Sequence, residues 1–80
     1  MNKSIFVITK GYLYGEDMIN KVVSAYYDYE TMRKDLNDLI VREMKKLGKG
    51  VRANTYINGV TLTNDDDDYV ELFYESVEIK

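Results

Sequence analysis

The chain's densest group of reactive side chains is a run of four aspartates, Asp65, Asp66, Asp67 and Asp68, followed by Glu71 and Glu75. Carboxylate oxygens suit hard cations such as Mg²⁺ and Ca²⁺. A calcium loop, however, needs acids at alternate positions, a central glycine and a closing glutamate, and this run has none of that spacing. A divalent-cation module is therefore a minor alternative, and the expectation is no metal and no cofactor. As a catalytic pair, Glu71 and Glu75 lack a recognisable partner on a second element, and exposed strand glutamates ordinarily serve as surface charge. Gly48-Lys49-Gly50 lacks the further glycines and the hydroxyl of a phosphate-binding loop, so Gly11, Gly15, Gly48 and Gly50 read as turn residues. The chain has no cysteine and no histidine. That removes disulfides, thiolate and imidazole chemistry, and the usual zinc and copper ligands. Nucleophile–histidine–acid triads are excluded with them, and the expected protein is not an enzyme.

What these residue types can still do is recognise. Clustered carboxylates facing a basic groove steer a partner and pair with its Arg and Lys in the manner of phosphates. Tyrosine is amphipathic, loses little rotamer freedom on binding, and is enriched at protein interfaces. The chain has eight tyrosines and no tryptophan, too many tyrosines for so small a core. The expected protein-binding surface therefore joins Asp65, Asp66, Asp67, Asp68, Tyr69, Glu71 and Glu75 with Tyr12 and Tyr14. Aromatics on a sheet also stack bases, but only with interleaved cations to hold the backbone, and the strands supply mainly Lys10, Lys21 and Arg52. Direct nucleic-acid binding is not expected.

Composition limits the architecture that positions these groups. Eighty residues, 45% apolar and 31% charged, make one globular domain with a modest core. The net charge of −3 is uneven: residues 1–50 carry nine Lys and Arg against seven Asp and Glu, and residues 51–80 carry two against seven. No apolar run is long enough to span a membrane, and the amino terminus lacks the apolar region of a secretory signal. A cytoplasmic location is expected.

The strongest element is a helix over residues 28–47. Met32, Leu36, Leu39, Ile40, Met44 and Leu47 recur at spacings of three and four, leaving Arg33, Lys34, Asp38, Arg42 and Lys45 to solvent. Asp28 is the expected N-cap, accepting from the backbone N–H of Glu30 or Thr31, and Gly48 the C-cap. Glu30–Lys34, Lys34–Asp38 and Asp38–Arg42 are candidate i,i+4 ion pairs.

Residues 4–12 read as a central strand, apolar on both faces. A turn over 11–17 leads to a second strand containing Val22, Val23, Ala25 and Tyr27, with Tyr12, Leu13, Tyr14 and Tyr26 near the open end or the solvent face. Residues 51–57 alternate as a half-buried strand with Val51, Ala53, Thr55 and Ile57 on one side. Asn58-Gly59 is a type I′ hairpin signal. A short return follows at 60–62, and then an exposed loop over 63–68. The last strand, 69–80, shifts phase between Val70/Leu72/Tyr74 and Val77/Ile79. It needs a β-bulge near Glu75–Ser76 to keep both groups against the helix; otherwise its end is an interaction edge. The expected fold is α+β: one antiparallel sheet of four strands, five if the short return counts, with one helix on one face, in the order β-β-α-β-(β)-β.

The run Ile5-Phe-Val-Ile-Thr-Lys-Gly-Tyr12, the strand ending Val22-Val-Ser-Ala-Tyr-Tyr-Asp-Tyr-Glu30, the charged helix and the closing Tyr69-Val-Glu-Leu-Phe-Tyr-Glu75 together resemble small β-β-α-β proteins of bacteriophages and mobile elements. The likeness is one of layout over 4–47 and 69–79, with 50–64 as an added hairpin, and it transfers no residue roles. It implies a non-enzymatic accessory factor, of the kind that occludes a basic groove of a host defence or nucleic-acid-processing protein. The alternative from the residues alone is a self-associating homodimer, paired through a strand edge or tyrosine face.

Overall fold

The computed structural model describes residues 3–14 and 16–79, except the side chain of Tyr14. Five strands and one helix follow in the order β1 (Lys3–Tyr14), β2 (Asp17–Tyr26), α1 (Tyr29–Leu47), β3 (Arg52–Tyr56), β4 (Gly59–Thr63) and β5 (Tyr69–Ile79). The strands form one antiparallel sheet in the spatial order β2-β1-β5-β4-β3. The expected α+β architecture is present, with five strands. No helix is long and apolar enough to cross a membrane among the described residues.

The helix forms where its apolar spacing and caps place it. The Asp28 carboxylate accepts from the Thr31 backbone N–H and from the Thr31 hydroxyl, both at 2.8 Å. These bonds hold its pKa below the ordinary 3.8. Gly48, at φ 75°, closes the other end by donating its N–H to the Met44 carbonyl. Met32 and Leu36 are fully buried, and Leu39, Ile40 and Leu47 pack against the core. The stripe departs from expectation at one point. Met44 is 37% exposed, and the neighbouring Glu43 is only 4% exposed. Lys10 from β1 donates to Glu43 Oε1 at 2.5 Å, and Lys46 lies 3.6 Å from the same oxygen. A charged partner on the sheet thus turns a carboxylate inward where periodicity alone predicts a methionine. The helix's ion pairs centre on this residue rather than on the three expected i,i+4 pairs.

The sheet presents Ile8, Val60, Leu62, Val70 and Leu72 to the helix as its buried face. β1 is central, as its two apolar faces predict. The expected turn over 11–17 is much tighter, because the β1–β2 ladder continues through Gly11↔Asn20 to Tyr14↔Asp17. Gly15 lies outside the described residues. Tyr12 and Tyr26 pack against the core instead of lying towards solvent, while Tyr27 falls beyond the end of β2.

The bulge expected near Glu75–Ser76 is absent, since β1 and β5 pair without a break from Lys3↔Ile79 to Tyr12↔Val70. The irregularity sits instead in β2, where Ile8 pairs with Ser24 and Thr9 with Val22, leaving Val23 as the extra residue. An unbroken β5 keeps Val77 and Ile79 on the face away from the helix.

The 51–64 region also differs from its expected form. β3 is an edge strand exposed at all five positions, and Ile57 is 94% exposed, so this strand is not half-buried. The hairpin turn consists of Ile57 and Asn58. Gly59 is already in β4, paired with Tyr56 on one side and Phe73 on the other. β4 is a full strand and the most thoroughly buried one. Gly59 is required by close approach: a Cβ there would lie 2.2 Å from the Leu72 carbonyl oxygen and 2.5 Å from Phe73 Cδ1.

Candidate protein interface

Because the single helix covers one face of the sheet, alternation along the strands decides what the other face presents. Leu72 and Val70 point into the core, so Tyr69, Glu71, Phe73, Glu75, Val77 and Ile79 of β5 lie on the helix-free face. Ile5, Val7 and Leu13 of β1, Met18 of β2 and Tyr56 of β3 share it by register. The Tyr56 and Phe73 rings lie 5.7 Å apart across the space that Gly59 leaves open. Leu13, Met18, Tyr56, Val77 and Ile79 are all exposed. Exposed apolar patches mark contact surfaces when they are large and contiguous, which makes this face a candidate for one.

At the end of this face where β5 begins stands the acidic loop. Asn64, not singled out from the sequence and expected in an exposed loop, is 2% exposed and organises it. Its Nδ2 donates to the Leu47 carbonyl at 2.9 Å and to Asp68 Oδ2 at 3.0 Å. Its Oδ1 accepts from the backbone N–H groups of Asp66 at 3.0 Å and Asp68 at 2.9 Å. Asp67 takes φ 61°, a left-handed conformation that Asp tolerates better than most residues. On the flank, the Arg52 guanidinium donates to the Asn64 carbonyl at 2.9 Å and lies 3.6 Å from Asp65 Oδ1. Thr63 belongs to β4 rather than to the loop.

Asp65, Asp66, Asp67 and Asp68 are exposed, and the Asp65 and Asp68 carboxylates are turned to different partners, Arg52 and Asn64. Among the described residues, no group of three or more His, Cys, Asp or Glu side chains is arranged to hold a metal ion.

Tyr69 and Glu71 link the loop to the open face. The Tyr69 hydroxyl donates to Glu71 Oε2 at 3.0 Å. Burial, then this hydrogen bond and the carboxylate's charge, raise the phenol above its ordinary 10.0. The Glu71 side chain lies over Gly11, where an added Cβ would stand 2.7 Å from Glu71 Oε1 and 2.5 Å from the Asn20 oxygen. Tyr69, Glu71 and Glu75 therefore share the helix-free side, while the four aspartates lie in the loop at its end, with Asp68 also bordering a cleft lined by Lys10, Tyr12 and Lys21. Tyr12 does not join them. It packs on the helix-facing core, with Lys10 Nζ 5.8 Å from its ring centroid. The Tyr14 side chain lies outside the described residues.

A second aromatic group gathers on the helix side, where Tyr29 meets Phe6 at 5.5 Å and Tyr74 at 5.9 Å, with Arg33 over the Tyr74 ring. Its role is to fasten the first turn of α1 to the sheet. Among known proteins, no family model matches the chain, and neither a curated protein nor a solved structure does.

Proposed function

We propose that this protein is a non-enzymatic binding factor that uses the helix-free face of its sheet, together with the acidic corner at residues 65–68, to engage a protein with a basic surface. One observation carries the reading: Glu71 and Glu75 share a surface with exposed Tyr56, half-buried Tyr69 and Phe73, Lys3 and Arg52, and the exposed loop of Asp65, Asp66, Asp67 and Asp68 borders its end. Carboxylates around an aromatic and apolar centre supply steering at the rim and desolvation energy at the middle. Asn64 holds the aspartates in place before any partner arrives, which lowers the ordering cost of binding. The likeness in layout to small phage and mobile-element proteins suits a factor of this kind, one that occludes a host defence or nucleic-acid-processing protein.

The test is in-cell photo-crosslinking from single positions in a bacterial host. Crosslinkers at positions 56 and 69 should capture one defined partner, and a crosslinker at position 34 on the outer face of α1 should not. Asparagine at all four aspartates, with glutamine at 71 and 75, should weaken the capture, more so at low salt. Capture from position 34 alone would overturn the assignment.

The apolar end of the same face favours a second reading, self-association. Ile5 pairs with Val77, and Ile79 lies beside them on the open side. A crosslink of twice the chain mass from position 77, with none to another protein from 56 or 69, would select the homodimer.

A further inference from the structure

The opposite side of the molecule holds a group of cations that the acidic face does not use. Lys10 and Lys21 are direct cross-strand partners on β1 and β2. Like charges in that arrangement are destabilising unless something answers them. Glu43 answers Lys10, and Lys46 shares the same oxygen. Among the described residues, Lys21 and Arg42 have no ion-pair partner. Lys10, Lys21, Arg42 and Lys46 together line a cleft of about 330 Å³ between α1 and the β1–β2 hairpin, with Val22, Val23, Leu39 and Glu43 completing its walls.

The helix dipole accounts for basic residues near the end of α1, but not for Lys21. One carboxylate stands against four cations here, in a chain whose net charge is −3. The neighbouring space on either side is different in character. Arg42 also borders a cleft with Asp35 and Asp38, and the Lys10–Lys21 pair borders another with Asp68. The middle cleft therefore carries the largest excess of positive charge of the three.

We propose that this cleft binds a small organic anion carrying a phosphate group. Lys21 and Arg42, the two uncommitted cations, take the phosphate oxygens from opposite walls, Lys as a point charge and Arg as a fork. Lys46, 3.6 Å from Glu43 Oε1, adds its charge to the same cleft. Val23 and Leu39 receive the apolar part of the ligand, and the volume falls in the range of small-molecule sites. Glu43 is a positioning residue that fixes Lys10 and Lys46 beside the cleft.

The experiment is an amide NMR titration of the whole chain with adenosine 5′-monophosphate, inorganic phosphate and adenosine at constant ionic strength. The nucleotide should give saturable shifts at residues 21–23 and 39–46, and phosphate the same shifts more weakly. Lys21→Gln and Arg42→Gln, both at exposed positions, should each weaken the nucleotide by about tenfold, the scale of a charged hydrogen bond. Lys45→Gln, outside the cleft, should leave it unchanged. Shifts that never saturate, that survive the double substitution, or that adenosine reproduces would overturn the proposal.

Discussion

Replacing Asn64 with alanine removes the side chain that joins the end of α1 to the acidic loop. Four hydrogen bonds go with it, two donated to Leu47 O and Asp68 Oδ2 and two accepted from the amides of Asp66 and Asp68. Each is worth about 0.5–1.5 kcal/mol net. The partners at Asp66 and Asp68 lie in an exposed loop and regain water, whereas the half-buried Leu47 end and the space left by a 2%-exposed side chain do not. The expected loss is about 2–4 kcal/mol, against a total of roughly 4–12 kcal/mol for a chain of this size. Urea unfolding followed by circular dichroism reads it as a lower midpoint at unchanged slope. Amide exchange at Asp66 and Asp68 should accelerate. Asn64→Asp keeps both acceptor bonds but loses both donors and sets a carboxylate beside Asp68, so its deficit should shrink as salt is added. A loss below about 1 kcal/mol for Asn64→Ala would refute the claim that this residue organises the loop.

The remaining predictions concern the sheet, the buried carboxylate and the helix cap. Gly59→Ala forces a Cβ against the Leu72 carbonyl and should cost about 1–3 kcal/mol in urea unfolding. Glu43→Ala leaves Lys10 half-buried without its partner and should cost about 2 kcal/mol, while Glu43→Met, which fills the site, should cost less than half of that. Asp28 has a folded pKa below its ordinary value, so its contribution is present above the unfolded value and is lost as pH falls through the folded one. The stability of Asp28→Asn should accordingly fall less than that of the unmodified chain between neutral pH and acid, measured as unfolding midpoint against pH.

The helix was legible because its signals are local: a three-and-four apolar spacing, an acid at Asp28 and a glycine at Gly48. The sheet was legible as a sheet but less so in its details, because these depend on distant pairs. Glu43 is inside because Lys10, thirty-three positions away, meets it there. Periodicity has no means of finding that. The Asn58-Gly59 signal lost to pairing with β5, since Gly59 is needed where Tyr56, Phe73 and the Leu72 carbonyl crowd together.

The phase change in the last strand leaves two outcomes open for Val77 and Ile79, a bulge near Glu75–Ser76 or an edge turned from the helix, and the unbroken β1–β5 ladder removes the first. In the structure Val77 and Ile79 remain on the open face and are part of what makes that face a candidate surface. Alternation along β5 puts Tyr69, Glu71 and Glu75 on one side. The same alternation along β1 turns Tyr12 away. Asn64 was hidden by the aspartates that follow it: an Asn before an acidic run reads as one more loop residue unless the chain end it reaches, Leu47, is already known to be near.

The proposed contact surface is tested most directly by hydroxyl-radical footprinting of the chain with and without its crosslink-identified partner. Met18, Tyr56 and Phe73 lie on the helix-free face, whereas the exposed Tyr29 and Met44 belong to α1 on the other side. Binding through the open face predicts that oxidation of Met18, Tyr56 and Phe73 falls in the complex while that of Tyr29 and Met44 is unchanged. Protection of Met44 and Tyr29 with no change at Tyr56 and Phe73 would contradict it.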